Sequence, residues 1–256
     1  MGSALVLSAT KSLKCEEIAV CDFDTEKTKP FTENNKAVLA SKEEIAENAK
    51  YIFLGVKPQV LASLVKEIAP ILKARADDFV VVSMAAGVTL ADISGWLGFD
   101  CKIIRIMPNT PVAVGEGMIT YAVSGLVTDA DDQGFLEGLK FAGKFDKLPE
   151  KLIDSASAVA GSGPAFVYMF ASALADAGVE CGLPREKAQE YASQTILGAA
   201  KMMLETEKNP EDLKNAVCSP GGTTIEGVHA LENGKLRGTV MNAVKATYEK
   251  NFKLKK

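Results

Sequence analysis

Up to about residue 150, short apolar runs rich in β-branched residues alternate with stretches of helical spacing; after about residue 152 the strand-like runs stop. This change of period constrains the fold more than any other feature. Alternating strand and helix builds βα units around a parallel sheet, whereas an unbroken series of helical patterns builds an all-α domain. The strand-like runs lie at 18–23, 51–56, 79–85, 102–107 and 117–123. Between them, Ser41-Lys42-Glu43-Glu44 has the form of a capping box, residues 59–72 carry apolar side chains at helical spacing, and a further helix is predicted over 129–141. Helices over 164–181, 185–205, 210–217 and 236–252 follow. The pattern predicts an α/β domain over 1–150 and an all-α domain over 151–256, with neither a low-complexity linker nor an internal repeat.

At 256 residues and 47% hydrophobic content, the chain can bury cores for two modest domains. Its 29 basic and 33 acidic residues are intermingled, giving a net charge of −4 and no single-sign field for a nucleic-acid backbone or an anionic membrane. Five cysteines, widely separated and without C-x-x-C spacing, argue against a disulfide framework or a zinc site. His229 is the only histidine, which excludes a multi-histidine metal site and leaves little room for triad hydrolysis. No run approaches the roughly 20 apolar residues of a membrane span, and the N-terminus lacks a basic region followed by a hydrophobic one. A cytoplasmic protein without a membrane partner is expected.

Met1-Gly2-Ser3-Ala4-Leu5 has the form in which a dinucleotide-binding fingerprint ends: a last glycine, a small residue, then the apolar face of a helix. Asp22 follows the first apolar run at about the 20-residue spacing of an acid that holds the adenosine ribose hydroxyls. Asp22 and Asp24 equally fit a turn after a strand. Val56-Lys57-Pro58 and Ala85-Ala86-Gly87 follow strands, where an open α/β sheet binds its ligand, and both also suit tight strand-to-helix connections. Asn109, between Pro108 and the Thr110-Pro111 pair, fits either a residue facing a cleft or an Asx turn. In the helical half, Cys218-Ser219-Pro220-Gly221-Gly222-Thr223-Thr224 offers bare backbone at the start of a helix, a place for a carboxylate or phosphate. An interhelical loop with Ser/Thr capping has the same local pattern.

Four stretches taken together carry a resemblance. They are Ile103-Ile104-Arg105-Ile106-Met107-Pro108-Asn109-Thr110-Pro111, Ala160-Gly161-Ser162-Gly163-Pro164-Ala165-Phe166-Val167-Tyr168, Ala199-Ala200-Lys201-Met202, and the loop from Ser219 to Thr224. In order and spacing they resemble the pyrroline-5-carboxylate reductase family, from Gly2 to about residue 250. The resemblance implies a Rossmann-type domain followed by a helical dimerisation domain. It also implies reduction of 1-pyrroline-5-carboxylate to L-proline, the last step of proline biosynthesis, by NADH or NADPH. Carried over by position, it makes Ser219, Gly221, Gly222, Thr223 and Thr224 the substrate loop, with Thr224 beside the ring nitrogen. Glu207 corresponds to an acid near the substrate amine. Val56, Lys57, Pro58, Ala85, Ala86 and Gly87 match the family's cofactor loops. Gly2 and Asp22 by fingerprint spacing and Asn109 by its place after a strand complete the candidate cofactor residues, and the Asp22 carboxylate, which would repel an added phosphate, favours NADH. No metal is implied.

One departure stands out: family members begin with a strand and a glycine-rich turn, and neither is present ahead of Met1. The first strand is therefore expected to be missing from the sheet. A non-catalytic, truncated form that keeps the helical dimer module is the alternative reading. Apolar side chains on several faces of the helices between 164 and 204, among them Phe166, Phe170, Leu174, Ile196, Leu197, Met202 and Met203, predict a homodimer or a larger assembly of dimers.

Overall fold

The computed structural model describes residues 1–254, so positions 255 and 256 of the predicted all-α domain lie outside the described residues. The chain divides into two compact units: Met1–Ser162 together with the segment from Thr247 on, and Gly163–Ala246. The first unit runs past residue 150 because Arg105 pins the following helical turns to the sheet, with Nη1 3.2 Å from Glu150 and Nη2 3.0 Å from Asp154.

In chain order the first unit contains α1 (Gly2–Ala9), β1 (Ala19–Val20), α2 (Lys29–Asn35), β2 (Val38–Leu39), α3 (Lys42–Asn48), β3 (Tyr51–Leu54), α4 (Pro58–Ala74), β4 (Val80–Ser83), α5 (Leu90–Leu97), β5 (Lys102–Met107), β6 (Gly117–Val123), α6 (Asp129–Gly138), β7 (Gly143–Lys147) and α7 (Ile153–Ala156). A π-helical turn, Ser157–Gly161, follows α7. The capping box read at Ser41 forms as expected: Ser41 Oγ accepts from Glu44 N–H, and the Glu44 carboxylate accepts from Ser41 N–H at 2.7 Å.

The sheet departs from the expected single parallel array in two ways. Among the described residues no strand precedes α1, as expected, but β1 and β2 form a parallel pair of their own, separate from the five-stranded sheet β3-β4-β5-β6-β7. Val20 of β1 still packs in the same hydrophobic cluster as Val80, Val82 and Ile104 of the larger sheet. The second departure is that β6 runs antiparallel to β5. Residues 108–116 join them through a 3₁₀ turn, Thr110–Val114, and so short a connection holds no crossover helix to restore the parallel direction.

Strand β4 is buried at every position, Val81 packing with α4 and α5 while Val80 and Val82 face the cluster shared by α1 and α6. This doubly covered strand is the middle one of the three parallel strands β3-β4-β5, whose two faces are both covered as a parallel sheet requires. At the opposite end from the strands' carboxyl termini, Lys50, Asp78, Lys102 and Asp131 alternate in sign. Lys102 Nζ lies 2.7 Å from Asp131 and 2.6 Å from Asp78, and Lys50 lies 3.0 Å from Asp131. They stitch the starts of β3, β4 and β5 to the cap of α6.

The second unit holds α8 (Gly163–Glu180), α9 (Arg185–Thr206), α10 (Pro210–Ala216), α11 (Thr223–Asn233) and most of α12 (Leu236–Leu254). Its buried apolar cluster is three alanines, Ala175, Ala188 and Ala192, with Val179 against them. Small residues let α8 and α9 approach closely: a Cβ on Gly178 would stand 3.2 Å from that of Ala188. Met169 and Leu204 are each 73% exposed, and Tyr168, Leu197, Val240 and Met241 also face outward.

Burial by itself raises the Asp131 carboxyl, but hydrogen bonds from Lys102, Thr128 and Lys50 outweigh it and hold the group well below the usual carboxylate range. A depressed folded-state pKa stabilises the fold above the unfolded value and loses that contribution as pH falls. Stability measured by denaturant titration is therefore expected to decline below about pH 4. Asp131→Asn is expected to flatten that decline and to cost about 2 to 3 kcal/mol at neutral pH, less than breaking a fully buried pair because Lys50 is half-exposed. A variant as stable as the parent at neutral pH would show that the network is idle.

Candidate active site

Strands β3, β4 and β5 are parallel neighbours, so their carboxyl ends lie at one edge of the sheet. The connections leaving that edge contain Val56-Lys57-Pro58, Ala85-Ala86-Gly87 and Asn109, which the fold thus brings together. Pro58 opens α4 with Lys57 as the residue before it; Gly87 has φ 78°, a left-handed conformation that suits glycine. Ala85 is buried, while Lys57 and Pro58 are exposed.

Asn109 is buried and its amide is engaged at both ends. Nδ2 donates to the Ala160 carbonyl at 3.0 Å, and Oδ1 accepts from Met118 N–H at 2.9 Å. It ties the end of β5 to the start of β6 and to the π-helical turn, a bridge between distant segments where local sequence suggested an Asx turn or a side chain facing a cleft. Arg105, two strand positions before Met107, was not singled out from the sequence as a functional residue. The signal was there, since a cation inside the apolar run Ile103–Met107 has to find buried partners. Glu150, one of those partners, also accepts from Leu90 N–H at 2.7 Å.

Gly2 opens α1, whose N-terminus has neither a side-chain cap nor an acidic residue in its first turn. A Cβ built on Gly2 meets no atom within 4 Å. An uncapped helix start with open space above it suits a phosphate group, and to this extent the residues present fit a dinucleotide.

Asp22 stands beyond β1, outside the five-stranded sheet. Its Oδ1 accepts from Asp24 N–H at 2.9 Å and lies 3.8 Å from Lys27 Nζ, so the carboxylate does shape a turn. The neighbouring Cys21 thiol is pushed up by burial first, then by Glu43 and Asp22, with Lys42 opposing. Those charges act on the thiol; at the Asp22 carboxylate the facing cation is Lys27.

In the second unit, Ser219, Gly221, Gly222, Thr223 and Thr224 join α10 to α11. Gly221 has φ 66°, and Gly222 N–H donates to the Ser219 carbonyl at 3.0 Å. Gly222 is the residue before α11, and no side chain caps that helix. The first-turn N–H groups of α11 and its dipole are consequently available to an anion. A Cβ at Gly222 would stand 2.3 Å from Ser219 Oγ and 3.1 Å from the Ser219 carbonyl oxygen, so a side chain there has to displace the Ser219 hydroxyl. Glu207 lies before α10, in the left-handed conformation at φ 53° that ends α9. Around α10, Arg237 links Glu211 at 2.8 Å to Glu232 of α11 at 2.6 Å. Hydrogen bonds from Arg237 and Lys214 lower the Glu211 carboxyl to about 2.

Comparisons with known proteins cover both units. Residues 150–254 match the family model for pyrroline-5-carboxylate reductase dimerisation, and residues 1–87 match that for coenzyme F420-dependent NADP oxidoreductases. The chain is 38% identical over 256 residues to the pyrroline-5-carboxylate reductase of Pisum sativum, spanning 99% of this chain and 92% of that protein. It is 44% identical over 216 residues to the enzyme of Escherichia coli (strain K12), covering 84% of this chain and 79% of the other. Among solved structures, the Coxiella burnetii reductase superposes with a TM-score of 0.90 at 30% identity, covering 100% of this chain and 95% of that one. The Plasmodium falciparum pyrroline carboxylate reductase with NADP bound gives 0.86 at 32% identity, with the same coverage. With identities of this size extending across both units, the chain belongs to the pyrroline-5-carboxylate reductase family.

Proposed function

We infer that this protein reduces 1-pyrroline-5-carboxylate to L-proline with NAD(P)H, the last step of proline biosynthesis, as a dimer in the cytoplasm. The observation that carries the reading is the match to reductases along 256 residues, which takes in the cofactor loops as well as the helical unit. A binding-only helical module would not need the former.

In this reading the first-turn N–H groups of α11 hold the substrate carboxylate, Gly221 and Gly222 keep the backbone bare, and Ser219 shapes the turn. The Thr224 hydroxyl fixes the ring nitrogen, and Glu207 faces the substrate amine. Gly2 at the start of α1 serves the pyrophosphate, and the segments at 56–58 and 85–87 support the nicotinamide half. Asn109 acts as a positioning residue through its two hydrogen bonds. When bound, the reduced nicotinamide supplies a hydride to the imine carbon. The ring nitrogen already carries its proton, so no acid–base residue has to act in that step; orientation is the protein's main contribution.

Thr224→Ala is expected to lower turnover by about fivefold, the effect of losing one neutral hydrogen bond worth on the order of 1 kcal/mol. Gly222→Val is expected to raise the Michaelis constant for the imine instead, because its side chain collides with Ser219 and displaces the amides. Steady-state kinetics in which neither constant moves for either variant would take this loop out of the active site.

We also propose that NADH is preferred over NADPH. The charge of the Asp22 carboxylate would repel an added phosphate, set against Lys27 3.8 Å away. Asp22→Ser is expected to narrow the difference in kcat/KM between the cofactors, chiefly by improving NADPH. A parent enzyme that already favours NADPH would restrict Asp22 to its turn.

The uncovered apolar helices of the second unit support pairing of these units, and a larger assembly of dimers is proposed on the same ground. Light scattering at low micromolar concentration is expected to give a dimer or a multiple of it. A stable, active monomer would rule this out.

A further inference from the structure

The loop that carries Asp22 holds a feature that neither its turn nor the core uses. Phe23 stands between Asp22 and Asp24 with its side chain fully exposed, the most exposed large hydrophobic residue described, while Phe31 and Phe135 in the same unit are buried. The backbone around it is well held. Asp24 N–H donates to Asp22 Oδ1 at 2.9 Å, Glu26 N–H donates to Asp24 Oδ1 at 3.2 Å, and Lys27 lies 3.8 Å and 3.5 Å from the two carboxylates. Two successive Asx turns leading into a 3₁₀ turn, Thr25–Lys27, present the ring to solvent from a fixed stem.

A single exposed apolar side chain is ordinary on a protein surface. Phe23 differs in its place. It follows the carboxyl end of β1, the side on which open α/β sheets take their ligands, and it adjoins the acid read as the ribose partner. On an adenosine, the group bonded to that ribose is a flat purine. An aromatic face next to the ribose acid matches it in chemistry, because bases stack on aromatic side chains.

We propose that Phe23 is the adenine platform of the cofactor site, stacking on the purine whose ribose hydroxyls Asp22 accepts. The proposal rests on the cofactor reading above and deepens it. Because NADH and NADPH share the same adenine, Phe23 sets affinity for both and discriminates against nicotinamide mononucleotides, while Asp22 distinguishes the two dinucleotides.

The test uses the full protein with Phe23→Ala and Phe23→Trp. Calorimetry is expected to show Phe23→Ala binding NADH and ADP-ribose about tenfold more weakly, in line with the loss of one base stack. The Michaelis constant for reduced nicotinamide mononucleotide should stay unchanged. Phe23→Trp should keep the parent's affinity, and its added fluorescence should be quenched by ADP-ribose but not by ribose 5-phosphate. Unchanged ADP-ribose affinity in Phe23→Ala, an equal loss for the mononucleotide, or fluorescence of the Phe23→Trp variant that ignores ADP-ribose would each overturn the proposal. So would a change in oligomeric state with cofactor affinity intact, which would make the ring a subunit contact. A parent protein that binds no dinucleotide would overturn the cofactor reading itself, and it shows this before any substitution is made.

Discussion

The parallel pairing of β3, β4 and β5 is the constraint on which the cofactor side of the first unit depends. Parallel strands end at one edge, and each must leave that edge through a connection long enough to return along a face of the sheet. The exits of β3 and β4 carry 56–58 and 85–87 into such connections, while Asn109 lies on the short 108–116 connection that turns β5 back into antiparallel β6. Burial on both faces fixes the register, because slipping β4 by one residue would exchange Val81 with Val80 and Val82 between two clusters that are already filled. The loops are therefore positioned by packing that lies well away from them.

Arg105 extends this control beyond the sheet. Its side chain is 1% exposed, and its two partners sit on the helical segment that follows β7. Burying a charge is costly, and a hydrophobic residue in a repacked site can be as stable, so stability alone does not explain it. Its directional bonds to Glu150 and Asp154 define where that segment sits against β5. Asn109 adds a second tether one turn further along, at the Ala160 carbonyl of the π-helical turn. A π turn frees carbonyl groups from the usual helical ladder, and a side-chain amide is one way to satisfy them. The two tethers work on successive parts of one segment.

Features with local causes were legible in the sequence. The bounds of β5 and β6, the Ser41 capping box and the long helices α8 and α9 follow from periodicity and short-range capping. The division of the strands into two sheets and the antiparallel direction of β6 do not, because direction depends on what the connection can hold rather than on the strand's own residues. Strands β2 and β7 escaped notice for a related reason: Val38-Leu39 is too short to show a period, and Gly143-Lys-Phe-Asp-Lys147 is an edge strand with little apolar content. Among site residues, the sequence located the glycine-rich turn before α11, yet only coordinates showed that a Gly222 side chain would strike Ser219. Asn109 was visible as a polar residue in a proline-bounded loop, but its partners are nine and 51 positions away, beyond any local pattern.

The second unit poses the opposite problem, since its helices are plain in the sequence while its stability is not explained by its own packing. Three alanines and a valine make its buried cluster, whereas Met169, Leu204 and Met241 stand in solvent. The stretch Glu150–Glu180 is long and apolar enough to meet the length and composition of a membrane span, although counting consecutive apolar residues in the sequence found none. The match of residues 150–254 to a dimerisation family gives that surface a different use. Helices whose apolar sides are covered by a second copy need no large core of their own, and alanine and glycine at the α8–α9 contact favour close approach over bulk. The turn of Ser219 to Thr224 joins two helices of this unit, so a ligand that bound there only when the helices are covered by a second copy would favour assembly by mass action.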